Sequence, residues 1–163
     1  MRLRYLFGAF LTGGIAVLDL FIKRVIASSF LYGESIELIP GFFALTYILN
    51  PGAAFGILAD WDSRLRFPVL VITSIAALGF LGYLYFSSMS RSTVASIALP
   101  LIAGGALANL YERVTVGAVV DYLDFYISDY HWPAFNLADA SITTGVLLLL
   151  ISSLFDRGGA ESS

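Results

Sequence analysis

The sequence predicts an all-α membrane protein: a bundle of four transmembrane helices with a small sheet at the membrane surface. Three observations carry this. Hydrophobic residues fill 58% of the 163 positions and charged residues only 13%, against about 25% charged in an average soluble domain. The mean hydropathy is +0.84, which assigns most of the chain to lipid. Four apolar windows, at 5–26, 67–86, 94–110 and 138–155, each come near the ~20 residues that cross a bilayer.

The first window begins "MRLRYLFGAF", a basic start before an apolar core, as in a signal peptide. Its length, and Asp19 and Lys23 near its far end, identify it instead as a retained span. The connection over 27–66 alternates bulky and small or polar residues at Ile36 and Leu38, then at Phe43, Leu45, Tyr47 and Leu49. That is a strand pattern, and "IPGFF" and "LNPGA" supply turns. The polar turn "SSMSRST" makes the second and third spans antiparallel. The third is the shortest and runs into the polar "NLYER". The connection over 111–137 reads as polar and aromatic, with no strand assigned. Asn136 is placed to cap the fourth span, with Asp139 at its third helical position. The tail "DRGGAESS" is expected to fray. The whole chain, 1–163, reads as one membrane domain.

Orientation by basic residues is nearly balanced. Arg2, Arg4, Arg91 and Arg157 fall on one side, and Lys23, Arg24, Arg64, Arg66 and Arg113 on the other. The "MRLR" start beside the first span favours cytoplasmic termini, so the two long connections, 27–66 and 111–137, are expected to face outward.

Several function classes are excluded. The net charge is −3 with no basic run, so nucleic acid has no footprint. There is no cysteine and one histidine, which removes disulfides and thiolate chemistry and leaves no basis for a Cys or His metal site. No cofactor motif is present: Gly104, Gly105 and Ala108 read as close helix packing, not as a phosphate loop.

Ionisable residues within spans are functional candidates, and here they gather at one end of the bundle. Asp19 and Lys23 share a helix face, as do Asn109, Glu112 and Arg113. Asp121 follows "GAVV", and Asp139 opens the fourth span. Asp19 and Lys23 also fit a plain intrahelical ion pair, and Asp139 a helix-terminal charge. Asp60, Asp62, Asp124 and Asp129 read as solvated loop residues, and Trp132 with nearby tyrosines as an interfacial aromatic belt. His131 reads as alone, so no serine has a histidine partner. Asp121 and Asp139 then stand as two carboxyls that can share a proton, one activating water and the other protonating a carbonyl oxygen. A small proton-coupled transporter or a membrane scaffold is the alternative. The polar cluster lies at one end, and 146–151 carries no polar side chain, which disfavours a conduit.

Four motifs in order carry a family resemblance. "GGALANLYERVTVGAVVDYLDF" (104–125) resembles the G-G-A-x-x-N-L-x-D-R-x-x-x-G-x-V-V-D-[FY] region of lipoprotein signal peptidase (signal peptidase II, aspartyl peptidase family A8). "HWPAFNLADASITTG" (131–145) resembles its F-N-x-A-D region, "LNPGAAFGIL" (49–58) its N-x-G-A-A-F region, and "LDLFIKR" (18–24) its first-span D-Q-x-x-K motif. The resemblance implies a four-helix bundle with an extracytoplasmic β-cradle. It places the catalytic aspartates at Asp121 and Asp139. It assigns substrate-binding or supporting roles to Asp19, Lys23, Asn50, Gly52, Ala53, Phe55, Asn109, Glu112, Arg113, Gly117, Asn136 and Ala138. It implies an aspartic endopeptidase without metal or other cofactor. Its partners would be diacylglyceryl prolipoproteins, cut just before the lipidated cysteine, and membrane lipids. Its setting would be the bacterial inner membrane, with both termini cytoplasmic and the active site at the outer face. Inhibition by cyclic peptides of the globomycin type also follows from the resemblance. Leu20, Glu112 and Pro51 depart from the family pattern, where Gln, Asp and a more flexible residue are usual.

Overall fold

The computed structural model describes residues 2–53, 57–58, 60–88 and 92–160, with side chains to 155 other than that of Ser88. Phe55 and Arg91 lie outside the described residues, as does the middle of the "SSMSRST" turn, and the side chain of Arg157 is not described.

Four helices are long and apolar enough to cross a membrane: α1 (Arg2–Ser29), α2 (Ser63–Ser88), α3 (Thr93–Thr115) and α4 (Leu137–Ala160). Each exceeds its apolar window, because the hydrogen-bonded ladder continues through polar residues that a hydropathy window leaves out. The extension that bears on the site is at α3, which carries Glu112 and Arg113 in its last turn. The starts of α2, α3 and α4 are capped by side chains. Asp62 Oδ1 accepts from Arg64 N at 2.8 Å, Ser92 Oγ from Ala95 N at 3.2 Å and Asn136 Oδ1 from Asp139 N at 2.9 Å, each meeting a donor the helix itself cannot satisfy. Asp62 is therefore a cap as well as an exposed residue.

α3 is the central helix. It packs against all three others, and its apolar window is 56% buried, against 6–17% in α1, α2 and α4. Glycines set its spacing. A Cβ at Gly104 would stand 2.8 Å from Thr12 O, and one at Gly105 would collide with Ala138 O. Close backbone approach through small residues is how helices associate in lipid, and the reading of "AGGALAN" as packing holds.

Between the helices lies one antiparallel sheet in the order β1-β2-β3-β4, formed by Ser35–Ile39, Phe43–Asn50, Val119–Ile127 and Tyr130–His131. β1 and β2 are the strands expected from alternation. β3 and β4 were not, and they correct the polar-connection reading of 111–137. The first four residues of β3 are all buried, so the strand lacks the two-residue period that marks a half-exposed strand. They are covered because Val120 and Tyr122 pack with Ile26 of α1 and with Leu137 at the start of α4. Gly117, with φ +84°, ends α3 by donating to Arg113 O at 3.1 Å. This left-handed cap turns the chain into β3.

Candidate active site

Asp121 comes from β3 and Asp139 from the first turn of α4. Neither element carries the other, and Asn136 joins them. Asn136 donates to Asp121 Oδ1 at 2.7 Å and to Val120 O at 3.2 Å, while its own oxygen caps Asp139 N. One fully buried side chain thus touches one aspartate's carboxyl and the other's backbone. Asn50 donates to Asp121 Oδ2 at 3.0 Å. The register makes this possible: Ile48 faces Asp121 and Asn50 faces Val119, so Asn50 and Asp121 are diagonal neighbours on one face of the sheet. Both Asp121 oxygens are therefore fixed.

The other carboxyl is fixed from α3. Asn109 donates to Asp139 Oδ1 at 2.8 Å and accepts from Lys23 Nζ at 2.8 Å. Lys23 also pairs with Asp19 at 2.7 Å and with Glu112 at 3.0 Å. Glu112 Oε2 accepts from Val120 N at 3.0 Å, and Asp19 Oδ1 accepts from Ala138 N at 3.1 Å. Arg113 donates to Gly52 O at 3.2 Å and lies within electrostatic reach of Asp139, Asp121 and Glu112. Four carboxyls thus gather around two cations, a balance that favours a proton on one of them. Asp121 is buried. Burial first, and the Asp139 charge second, push its pKa up to about 7, against the opposing hydrogen bonds from Asn50 and Asn136.

Asp139 opens into a cleft of about 410 Å³ lined by Asn50, Trp132, Phe135, Ile142 and Thr143 among others. Trp132, read as a membrane-belt residue, is thus also a wall of the cleft. The cleft is mostly apolar with the Asp139 carboxyl in its lining, the usual form of a site for an apolar ligand.

Of the residues singled out from sequence, Asp19, Lys23, Asn50, Asn109, Glu112, Arg113, Asp121, Asn136 and Asp139 come together in this network. Gly52 supplies a carbonyl to Arg113, and Ala53 stands beside it with its own carbonyl on Asn50. Ala138 supplies a backbone N–H, and Gly117 acts through the helix end. Two readings need correction. Asp124 lies within β3, not in a loop, and His131 is not alone: its Nδ1 is 2.9 Å from Asp124 Oδ2 and its ring stacks on Tyr126 at 4.7 Å. The pair stays outside the aspartate network because Asp124 and His131 hold β3 and β4 together at the far end of the hairpin. Tyr122 was missed. Its buried hydroxyl donates to Asp19 at 3.3 Å and accepts from Leu137 N at 3.0 Å. The pattern V-V-D-[FY] was the available signal, since Tyr and Phe differ there by the hydroxyl alone.

Comparison with known proteins gives the family and the fold. The family model described as Signal peptidase (SPase) II matches residues 11–155. A lipoprotein signal peptidase from Sulfurihydrogenibium is 48% identical over 142 residues, 86% of each chain. One from Geobacter sulfurreducens is 43% identical over 149 residues, 91% of each chain. Among solved structures, a bacterial membrane enzyme determined by the in meso method at 2.3 Å superposes with a TM-score of 0.84 at 32% identity, covering 93% of this chain and 90% of that one. A second, at 1.9 Å, gives 0.79 at 34% identity, with 90% and 92% covered.

Proposed function

The chain belongs to the signal peptidase II family, and from that premise we propose that Asp121 and Asp139 are the reacting pair of an aspartic endopeptidase. The family makes the protein a protease of the bacterial inner membrane that removes signal peptides from prolipoproteins. Within that activity, the proposal covers the chemistry. The scissile bond precedes the diacylglyceryl cysteine, which brings the peptide to the membrane boundary at the level of the pair. The pair holds one proton, with Asp121 its resting carrier. Asp139, at the edge of the cleft, takes a proton from water as that water attacks the carbonyl carbon. The proton on Asp121 passes to the carbonyl oxygen. The tetrahedral intermediate then collapses as Asp139 gives its proton to the leaving amine and a hydroxyl of the intermediate returns one to Asp121, which restores the pair. The two titrations belong to the pair, not to either residue singly. Arg113, held by Gly52, binds a substrate carbonyl or lipid ester oxygen, and Ala53, next to Gly52, contributes beside it. Membrane lipids flank the substrate, and cyclic peptides of the globomycin type would compete for the cleft.

The observation that carries this reading is the bridging of the two aspartates by Asn136, within a network that also contains Asn50, Asn109 and Lys23. The test is cleavage of a diacylglyceryl prolipoprotein peptide in detergent. Asp121→Asn and Asp139→Asn should each lower kcat by roughly 10²–10⁴-fold or more, with the protein still folded at the assay temperature. Parent-like cleavage by either variant would exclude the pair as the reacting groups.

A further inference from the structure

We propose that Lys23 is a positioning residue: a single ammonium group, acting through Asp19 and Glu112, sets where the two aspartates stand relative to each other. This rests on the reading of Asp121 and Asp139 as the reacting pair.

A lysine ammonium has three N–H donors. At Lys23 one of these is donated to Asn109 Oδ1 at 2.8 Å, and the same ammonium is in ion-pair contact with Asp19 Oδ2 at 2.7 Å and Glu112 Oε2 at 3.0 Å. Lys23 is 1% exposed and Asp19 0%, so neither is open to a substrate. Each partner then reaches towards one aspartate. Asp19 Oδ1 takes the N–H of Ala138, the residue just before Asp139. Glu112 Oε2 takes the N–H of Val120, the residue just before Asp121. Asn109 goes directly to Asp139 Oδ1. One cation therefore fixes the backbone ahead of both aspartates through two matching arms.

The arrangement answers a geometric need. The reacting carboxyls sit on different elements, a strand and a helix, and a site of this kind loses rate steeply when its groups shift by about an ångström. α1, which carries Asp19 and Lys23, is a third element to which both are referred. Stability is a poor explanation for such a cluster, because buried ion pairs are often matched or bettered by apolar side chains of similar volume. Fixing one geometry is what the charges add.

The test uses the full-length enzyme and the diacylglyceryl peptide. Lys23→Met would leave two buried carboxylates without their cation and risks misfolding, so the arms are varied instead. Glu112→Gln keeps an acceptor for Val120 N–H but loses the charge that pairs with Lys23. Glu112→Asp keeps the charge. Glu112→Gln and Asp19→Asn should each lower kcat about tenfold with KM within about twofold, the signature of a lost transition-state geometry. Binding of an uncleavable lipopeptide should be unchanged. Glu112→Asp should stay within about threefold of the parent, since the charge-assisted contact remains. The double variant should lose less than the product of the single losses, because both arms act through one ammonium. The proposal is overturned if kcat is unchanged in both single variants. It is equally overturned if KM rises with kcat intact, which marks substrate binding. A kcat loss that follows the loss of folded protein, with Glu112→Asp no better than Glu112→Gln, also overturns it and marks a merely structural role. Parent-like cleavage by Asp121→Asn or Asp139→Asn is a different result: it removes the pair itself.

Discussion

At the scale of single residues, the protonation of Asp121 has consequences for both rate and stability. Its pKa rises from 3.8 to about 7, through burial first and the neighbouring Asp139 second. The folded protein thus favours the neutral carboxyl. The stability contributed by that form is complete below about pH 4 and is lost as pH rises through about 7. Asp121→Asn cannot ionise and escapes that loss. Asn50 and Asn136 both donate to residue 121, so the amide costs some stability at every pH; in unfolding followed side by side in detergent, the variant's midpoint should gain on the parent's between pH 4 and pH 8. A constant difference across this range would mean that Asp121 titrates normally. In the rate, loss of the donated proton should appear as an alkaline limb near pH 7, falling about tenfold per unit where one proton is required. Asp121 and Asp139 were legible in the sequence because charge is rare in the spans and these two fall at one end of the bundle. Tyr122 was not legible. Its hydroxyl meets partners 15 and 103 positions away, and no local pattern records such contacts. The Asp124–His131 pair was hidden for a related reason, since it depends on a hairpin that had not been recognised.

At the scale of elements, hydropathy revealed the helices, and alternation revealed two of the four strands. The helix ends extended further than the apolar windows, because "NLYER" is helical yet polar on the side that faces the site. β3 escaped because it is buried at 119–122 on both faces and so has no alternation to read. The glycines of α3, by contrast, were correctly read as packing, and they lead to a sharp contrast. A Cβ at Gly105 would collide with Ala138 O and stand 2.9 Å from Ile142 Cγ1. Ala138 directly precedes Asp139, so any relief moves the Asp139 carboxyl. Gly105→Ala should destabilise by about 1–3 kcal/mol, the usual cost of overpacking, and should reduce cleavage beyond what the lost stability explains. Gly14→Ala, where a Cβ meets nothing within 4 Å, should be silent in both assays. Equal tolerance at the two sites would show that α3 and α4 can separate freely at Gly105.

At the scale of the whole molecule, the remaining question is which face of the membrane the site addresses. Lys23 is buried within the aspartate network and Arg113 points to the loop at Gly52. Neither is a flanking charge of the kind that orients a span, so the near balance of basic residues tilts towards Arg2 and Arg4 at the start of α1 and favours cytoplasmic termini. The sheet, the cleft and the ion network then lie on the outer side, where a lipidated substrate emerging across the membrane would meet them. The chain has no cysteine, which makes single introduced thiols clean reporters. Tyr130 in β4 is 72% exposed, and Ser87 lies exposed at the opposite end of α2. In intact spheroplasts, Tyr130→Cys should react with a membrane-impermeant maleimide, while Ser87→Cys should react only after permeabilisation. The reverse pattern would invert the bundle and place the aspartate pair on the cytoplasmic side, although the fold and the network within it would stand.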